Sequence, residues 1–191
     1  AAKNIETLLT VRTDNGETED RLAFGTHEDA NYWLDENLGE QDLPPPPPSG
    51  LYPVFSFLNQ DSSWIITSYK DFQPAVSYSG ESRTFSLRVY REAGAQVTFN
   101  WQEMDVRIDS AYLVDASTGG LSVKINMKEN TGGTGNLYLD RYLIIVWYNY
   151  TNTSVEEKDD GDMSLTVYPN PVSDYAEVIF PEINYEIVVT D

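Results

Sequence analysis

The chain has no cysteine and one histidine among its 191 residues. The first absence removes disulfides, thiol nucleophiles and cysteine-ligated zinc together. It leaves an extracellular home open, because a body of this size buries roughly 70% of its unfolded surface and holds a core without covalent staples. The second absence leaves His27 as the sole imidazole. A Ser-His-Asp triad would have to use it, and no G-x-S-x-G occurs in the chain. Catalytic zinc, which takes several histidines, is no better served. Positive charge is also scarce: 12 Lys and Arg face 31 Asp and Glu, a net charge of -19. Such a surface repels nucleic acid and anionic lipid, so neither is an expected partner. No apolar run reaches the ~18 residues of a membrane helix, and no membrane insertion is expected.

Two further gaps concern catalysis. Gly132-Gly133-Thr134-Gly135 lacks the lysine and the following helix of a phosphate-binding loop. Paired carboxylates could cleave glycosides, but in so acidic a chain some pair is inevitable and carries no signal. The expectation is a protein that is not an enzyme and has no cofactor. Calcium in the acidic loops is the one possibility kept open; Asp14-Asn15-Gly16 with Glu17, Glu19 and Asp20 forms such a loop, without the alternating ligands of an EF-hand.

What the chain does have is strands. Ile5 to Arg12 reads as the first, closed by the Asn15-Gly16 turn pair. Leu51 to Leu58, Ser63 to Tyr69, Ser82 to Tyr90, Ala95 to Trp101, Arg107 to Val114 and Leu121 to Met127 follow. Several alternate cleanly, such as Phe85, Leu87 and Val89 against Thr84, Ser86 and Arg88. Period-two patterning means sheets with one buried and one wet face. Tyr142 to Tyr148 is apolar throughout. It is a central strand covered on both sides, or one whose outer face meets another molecule. Gly80, Gly94, Gly119-Gly120 and Gly132-Gly133 punctuate the turns. The fold class is therefore all-β, an antiparallel β-sandwich of jelly-roll or immunoglobulin-like type.

Between the first strands lies a less regular region. Thr26 to Leu38 could hold a short helix capped by Thr26 and ended by Gly39. Pro44 to Pro48 must form a stiff polyproline segment, expected to cross one end of the sandwich or lie against its face. The body spans residues 1–154. The acidic run 155–162 is the best linker, and a C-terminal piece occupies 163–191.

That piece opens with Leu165-Thr166-Val167-Tyr168-Pro169-Asn170-Pro171-Val172, followed by the apolar run Ala176 to Phe180. Two prolines fix the backbone and exclude a helix, so a rigid extended entry leads into a strand. The core Tyr168, Pro169, Asn170, Pro171 and Val172 resembles the start of the immunoglobulin-like C-terminal sorting domain of Bacteroidetes-type type IX secretion cargo. The resemblance covers the last part of the chain alone, and such domains run on for several more strands than reach Asp191. It implies the type IX translocon as a partner and an extracellular or cell-surface location, with Ala1-Ala2-Lys3-Asn4 suiting the terminus left by a removed signal peptide. The block from Arg21-Leu22-Ala23-Phe24-Gly25-Thr26 through Asp35 to Glu40 and on to Leu43 to Gly50, with its Phe-Gly start and its Gly39-Glu40 to Ser49-Gly50 end, resembles a segment that recurs in secreted proteins bearing that domain. Asp109-Ser110-Ala111 likewise resembles the O-glycan acceptor of that phylum, which makes Ser110 a candidate.

Two functions fit. The first is a structural or adhesive filament subunit that self-associates by β-strand addition. An incomplete C-terminal piece leaves unpaired edges, and Tyr175, Val178, Phe180, Ile187 and Val189 would dock on a neighbour. The second is a carbohydrate-binding module with a polysaccharide partner. Trp101 and Trp147 are expected to fill the core at strand spacing, leaving Trp64, Tyr148 and Tyr150 as candidate ligand aromatics.

Overall fold

The computed structural model describes residues 4–58, 60 and 64–149. The linker, the sorting-type motif Tyr168 to Val172 and the strand-addition residues Tyr175 to Val189 lie outside them, as does Tyr150.

The chain opens with β1 (Ile5–Thr13) and β2 (Thr18–His27). In β1 the side chains of Ile5, Thr7, Leu9, Val11 and Thr13 are buried, and those between them point outward. The hairpin turn falls on Asn15-Gly16 as expected, with Gly16 at φ 95 and its N–H donating to the Thr13 carbonyl. The remaining strands are β3 (Tyr52–Leu58), β4 (Ile65–Ser68), β5 (Lys70–Pro74), β6 (Ser82–Tyr90), β7 (Val97–Trp101), β8 (Ile108–Asp115), β9 (Lys124–Asn126), β10 (Gly132–Thr134) and β11 (Arg141–Tyr148). They form a five-stranded sheet in the order β10-β7-β1-β2-β5 and a six-stranded sheet in the order β4-β3-β6-β11-β8-β9. Every pairing is antiparallel except β2 with β5. The all-β sandwich expected from the periodicity is the fold found.

The two inner faces meet through aromatic pairs that join one sheet to the other. Phe24 of β2 packs on Phe85 of β6 at 5.1 Å between ring centroids, and Phe99 of β7 meets Tyr142 of β11 edge-on at 4.9 Å. Leu9, Leu22, Leu87, Leu113, Ile144 and Val146 fill the space around them, fully buried. Burying each such side chain stabilises the fold by about 1.5–3 kcal/mol.

Four local expectations change. The helix over Thr26 to Leu38 shrinks to one 3-10 turn, Glu36–Leu38, because β2 runs on to His27 and buries Thr26. Its C-terminal Gly39 is left-handed as anticipated, at φ 82. The acidic stretch Thr18 to Asp20 is strand rather than loop, for buried Glu19 is held by Arg21. The strand over Leu121 to Met127 contracts to Lys124–Asn126 because Asp115 gathers the preceding residues into a loop. Gly132–Thr134 is an edge strand rather than a turn. A Cβ at Gly133 would press on the Ile125 side chain, which would have to shift to admit it.

The polyproline segment begins beside the free edge of β4, where the Leu43 N–H donates to the Thr67 carbonyl at 2.9 Å. The Tyr52 hydroxyl donates to the Pro44 carbonyl at 3.1 Å, and Pro47 and Pro48 reach the loops at one end of the sandwich. The rod thus crosses an end, one of the two placements expected.

Candidate functional site

The outer face of the second sheet is where sequence and structure depart from an ordinary solvated surface. On β11, Tyr142, Ile144, Val146 and Tyr148 point inward, so Leu143, Ile145 and Trp147 form an apolar row on the outside of a central strand. An outward face normally carries polar residues. Tyr112 stands opposite Ile145, and its ring meets Trp147 edge-on at 6.1 Å. On the other side β6 offers hydroxyls: Ser82 opposite Trp147, Thr84 opposite Ile145, Ser86 opposite Leu143. Ser56 of β3 adds one more hydroxyl, bonded to that of Ser86 at 3.2 Å. Aromatic rings beside ordered hydroxyls offer stacking and hydrogen bonding together, the two contacts a sugar ring takes.

This face runs into a cleft of about 500 Å³ lined by Pro47, Tyr90, Glu92, Tyr138 and Asp140 among others. Its walls are locked by Arg91, which donates from Nε to the Ala95 carbonyl at 2.9 Å and from Nη2 to the Asn136 and Leu137 carbonyls at 3.1 and 2.9 Å. Two loops are thereby fixed to one guanidinium, and the Tyr138 ring projects from them 91% exposed. Tyr90 belongs to both surfaces. Its ring carries the Arg88 guanidinium 4.6 Å above it and lies 6.3 Å from that of Tyr52.

The ligand aromatics expected from sequence fare unevenly. Trp64 is 57% exposed, beside exposed Ile65 and Leu58 on the β3–β4 hairpin. Tyr148 is a correction: it is 1% exposed and belongs to the core, while Trp147 faces outward. The parity of β11 is the reverse of that expected, since both of its faces are apolar and the strand gives no internal phase. Arg141 held the missing signal, for counting from an exposed arginine puts Leu143, Ile145 and Trp147 on the wet side. Trp101 is buried as expected, its indole N–H donating to the Met127 and Asn130 carbonyls. Ser110 is half-buried on β8 opposite Trp147, within the aromatic face. Trp64 lies just before the edge strand β4, and β3 and β6 stand between that strand and β11, which carries Trp147.

The acidic groups are tied to the backbone. Asp14 accepts the Gln96 N–H at 3.0 Å, Glu17 accepts that of Leu51 at 3.1 Å, and Glu19 pairs with Arg21. Among the described residues no group of three or more acidic or histidine side chains could hold a metal ion. Asp115 accepts from the Thr118 hydroxyl and N–H and from the N–H groups of Gly120, Ser122 and Val123. Burial opposes its ionisation, but these donors outweigh it and hold the carboxyl below the usual range. Glu40 and Asp71 run the other way. Burial pushes Glu40 up to about 7, and burial with the neighbouring Glu40 charge pushes Asp71 up to about 8. His27 lines a second recess of about 440 Å³ with Glu6 and Lys70, its Nδ1 accepting the Asp29 N–H at 3.1 Å.

No family model, no curated protein and no solved structure matches this chain.

Proposed function

We propose that this chain is a non-catalytic, secreted adhesive module that holds a polysaccharide on the outer face of its second sheet. The observation that carries the reading is the row Leu143, Ile145, Trp147, apolar and outward on a central strand, with Tyr112 on one side and the hydroxyls of Ser82, Thr84 and Ser86 on the other. The cleft at Tyr90 and Tyr138 continues the same surface and gives a chain of sugars a second point of hold. Arg91 fixes that cleft before any ligand arrives, which lowers the ordering cost of binding. Export by the type IX system, with Tyr168 to Val172 as part of the sorting signal, fits a protein that meets polysaccharide outside the cell. The test is affinity electrophoresis against a panel of polysaccharides with Trp147→Ala and Tyr112→Ala. Truncating an aromatic that anchors a ligand costs about 1–2 kcal/mol, so each variant is expected to bind roughly tenfold more weakly. Unchanged retardation of both variants refutes the assignment to this face.

A second reading, self-association into filaments, is favoured by the exposed cluster Leu58, Trp64 and Ile65. Strand addition would use Tyr175 to Val189 as donor. The acceptor edges of the described sandwich are short, three residues in β9 and β10, four in β4 and five in β5. Docking through the Leu58–Trp64–Ile65 patch therefore suits assembly better than long-edge pairing. Negative-stain microscopy with and without EDTA decides it: filaments support this reading, and a monomer in both conditions removes it.

A further inference from the structure

The net charge of -19 is not spread over every surface. Among the described strand residues of the second sheet the acids are Asp109 and Asp115 alone. Asp109 is the extra residue at the β8 bulge, and Asp115 is buried inside its own loop. Apart from exposed Asp109 at the bulge, the outward positions of this sheet carry no carboxylate, and they carry Arg88, Arg141 and Lys124.

Arg88 and Arg141 are directly opposite each other in the β6–β11 register. Like charges so placed repel across a strand pair. Four other arginines of the sandwich are engaged: Arg21 with Glu19, Arg83 with Glu81, Arg91 with four carbonyls, Arg107 with Asp105; exposed Arg12 on the first sheet, like Arg141, makes no ion pair among the described residues. Arg88 differs. Its nearest carboxylate, Asp140, lies 3.6 Å from Nη2, beyond hydrogen-bond range, and its Nε is buried with no partner. Arg141 is exposed and makes no ion pair among the described residues. Two guanidinium groups held directly opposite each other, with one carboxylate at 3.6 Å from Arg88 and no ion pair on exposed Arg141, form an arrangement that a further anion completes.

Resting on the polysaccharide reading above, we infer that the ligand is an acidic polysaccharide, whose carboxylate or sulfate groups are held across Arg88 and Arg141 while its rings lie along Leu143, Ile145 and Trp147 on one side of that pair. The rest of the molecule repels a polyanion. That field is screened beyond about 8 Å at physiological salt, whereas contact with a guanidinium is short-range and bidentate. Acidic polymers are therefore admitted at this face and excluded elsewhere, which fixes the orientation of binding.

The experiment is affinity electrophoresis of the full chain in gels containing polygalacturonate (carboxylate), dextran sulfate (sulfate ester) or neutral dextran, at low and physiological salt. Arg88→Gln and Arg141→Gln are compared with Arg12→Gln, which makes the same charge change on the first sheet. Circular dichroism checks that each variant is folded, and exposed Arg141 provides a variant that does not disturb the core. The expected result is retardation by one of the acidic polymers and not by neutral dextran. It falls at least about tenfold in each of the first two variants, weakens with salt, and is unchanged in Arg12→Gln. Carboxylate and sulfate are told apart by which acidic gel retards. Equal weakening by Arg12→Gln, or equal retention of duplex DNA, overturns the site as a mere charge effect. Retardation by neutral polymers alone overturns the acidic class and leaves the polysaccharide reading standing. Binding to none of a wide polysaccharide panel overturns both.

Discussion

The Phe72 N–H donates to the buried carboxylate of Glu40 at 2.6 Å, and so ties β5 to the loop that follows the 3-10 turn. The other Glu40 oxygen accepts the Asp35 N–H at 2.7 Å. One residue before Phe72 is Asp71, itself 5% exposed, whose carboxyl feels the Glu40 charge. The edge of the first sheet therefore holds two acids that resist ionising together.

This pair makes stability fall as pH rises. In the unfolded chain both acids ionise near pH 4; in the folded chain Glu40 is raised to about 7 and Asp71 to about 8. Between those limits the native state holds more protons than the unfolded one. Its contribution is thus complete below about pH 4 and is lost progressively up to about pH 8. Thermal unfolding followed by circular dichroism from pH 5 to pH 8 is expected to show a falling Tm. Asp71→Asn keeps the shape without the charge, so it flattens that slope and raises Tm at pH 8 by roughly 5 °C. A wild-type slope unchanged in Asp71→Asn refutes the assignment, since the remaining acids would then account for it.

The reversed parity of β11 gives a second prediction. Tyr148 lies in the core, so Tyr148→Ala should cost about 3–5 kcal/mol and lower Tm by ten degrees or so. Trp147 lies on the outer face against Tyr112, so Trp147→Ala should cost about 1 kcal/mol. Urea melts of the two variants check the order. If Trp147→Ala is the more damaging of the two, the strand faces the other way.

How much of this was legible beforehand depends on phase. Ser82–Tyr90 was fully legible, because Phe85, Leu87 and Val89 alternate with polar residues and the hydrophobic period fixes the face. The Asn15-Gly16 turn and the Gly39 cap were legible from backbone chemistry alone. Strand β2 was hidden by its acidic start, where Glu19 is buried on the strength of a salt bridge two residues away. Strand β5 was hidden because Asp71 and Gln73 stand where a strand pattern wants apolar side chains. The candidate site was half legible. An apolar outer face on Tyr142 to Tyr148 could be anticipated, but which residues form it could not, for alternation carries no information when both faces are apolar. The Arg88–Arg141 pair depends on register across β6 and β11, a long-range property with no local signature.

The loop that shortened β9 supplies the last prediction. Asp115 is wholly buried, and residues 117–123 are wound around it by donors from Ser117, Thr118, Gly120, Ser122 and Val123. Gly119 and Gly120 take positive φ, at 68 and 104, which lets the N–H groups turn inward. Leu121, 89% exposed at the tip, is held out by this winding rather than by packing of its own. Asp115→Ala removes the common acceptor and strands several N–H groups at once. The loop is then expected to open locally while the Phe24–Phe85 and Phe99–Tyr142 contacts of the core persist. Limited proteolysis reads this directly. Chymotrypsin should cut after Leu121 and trypsin after Lys124 much faster than in the wild type, and hydrogen exchange should quicken over residues 116–123. Because the Asp115 carboxyl is held below the usual range, its contribution is present above about pH 4 and lost as pH falls, opposite in sign to the Asp71 effect. Protection of the loop in the wild type should therefore fail in acid. If Asp115→Ala protects the loop as well as aspartate does, the winding is set by the glycines and by Thr118, and the carboxylate merely occupies the space they leave.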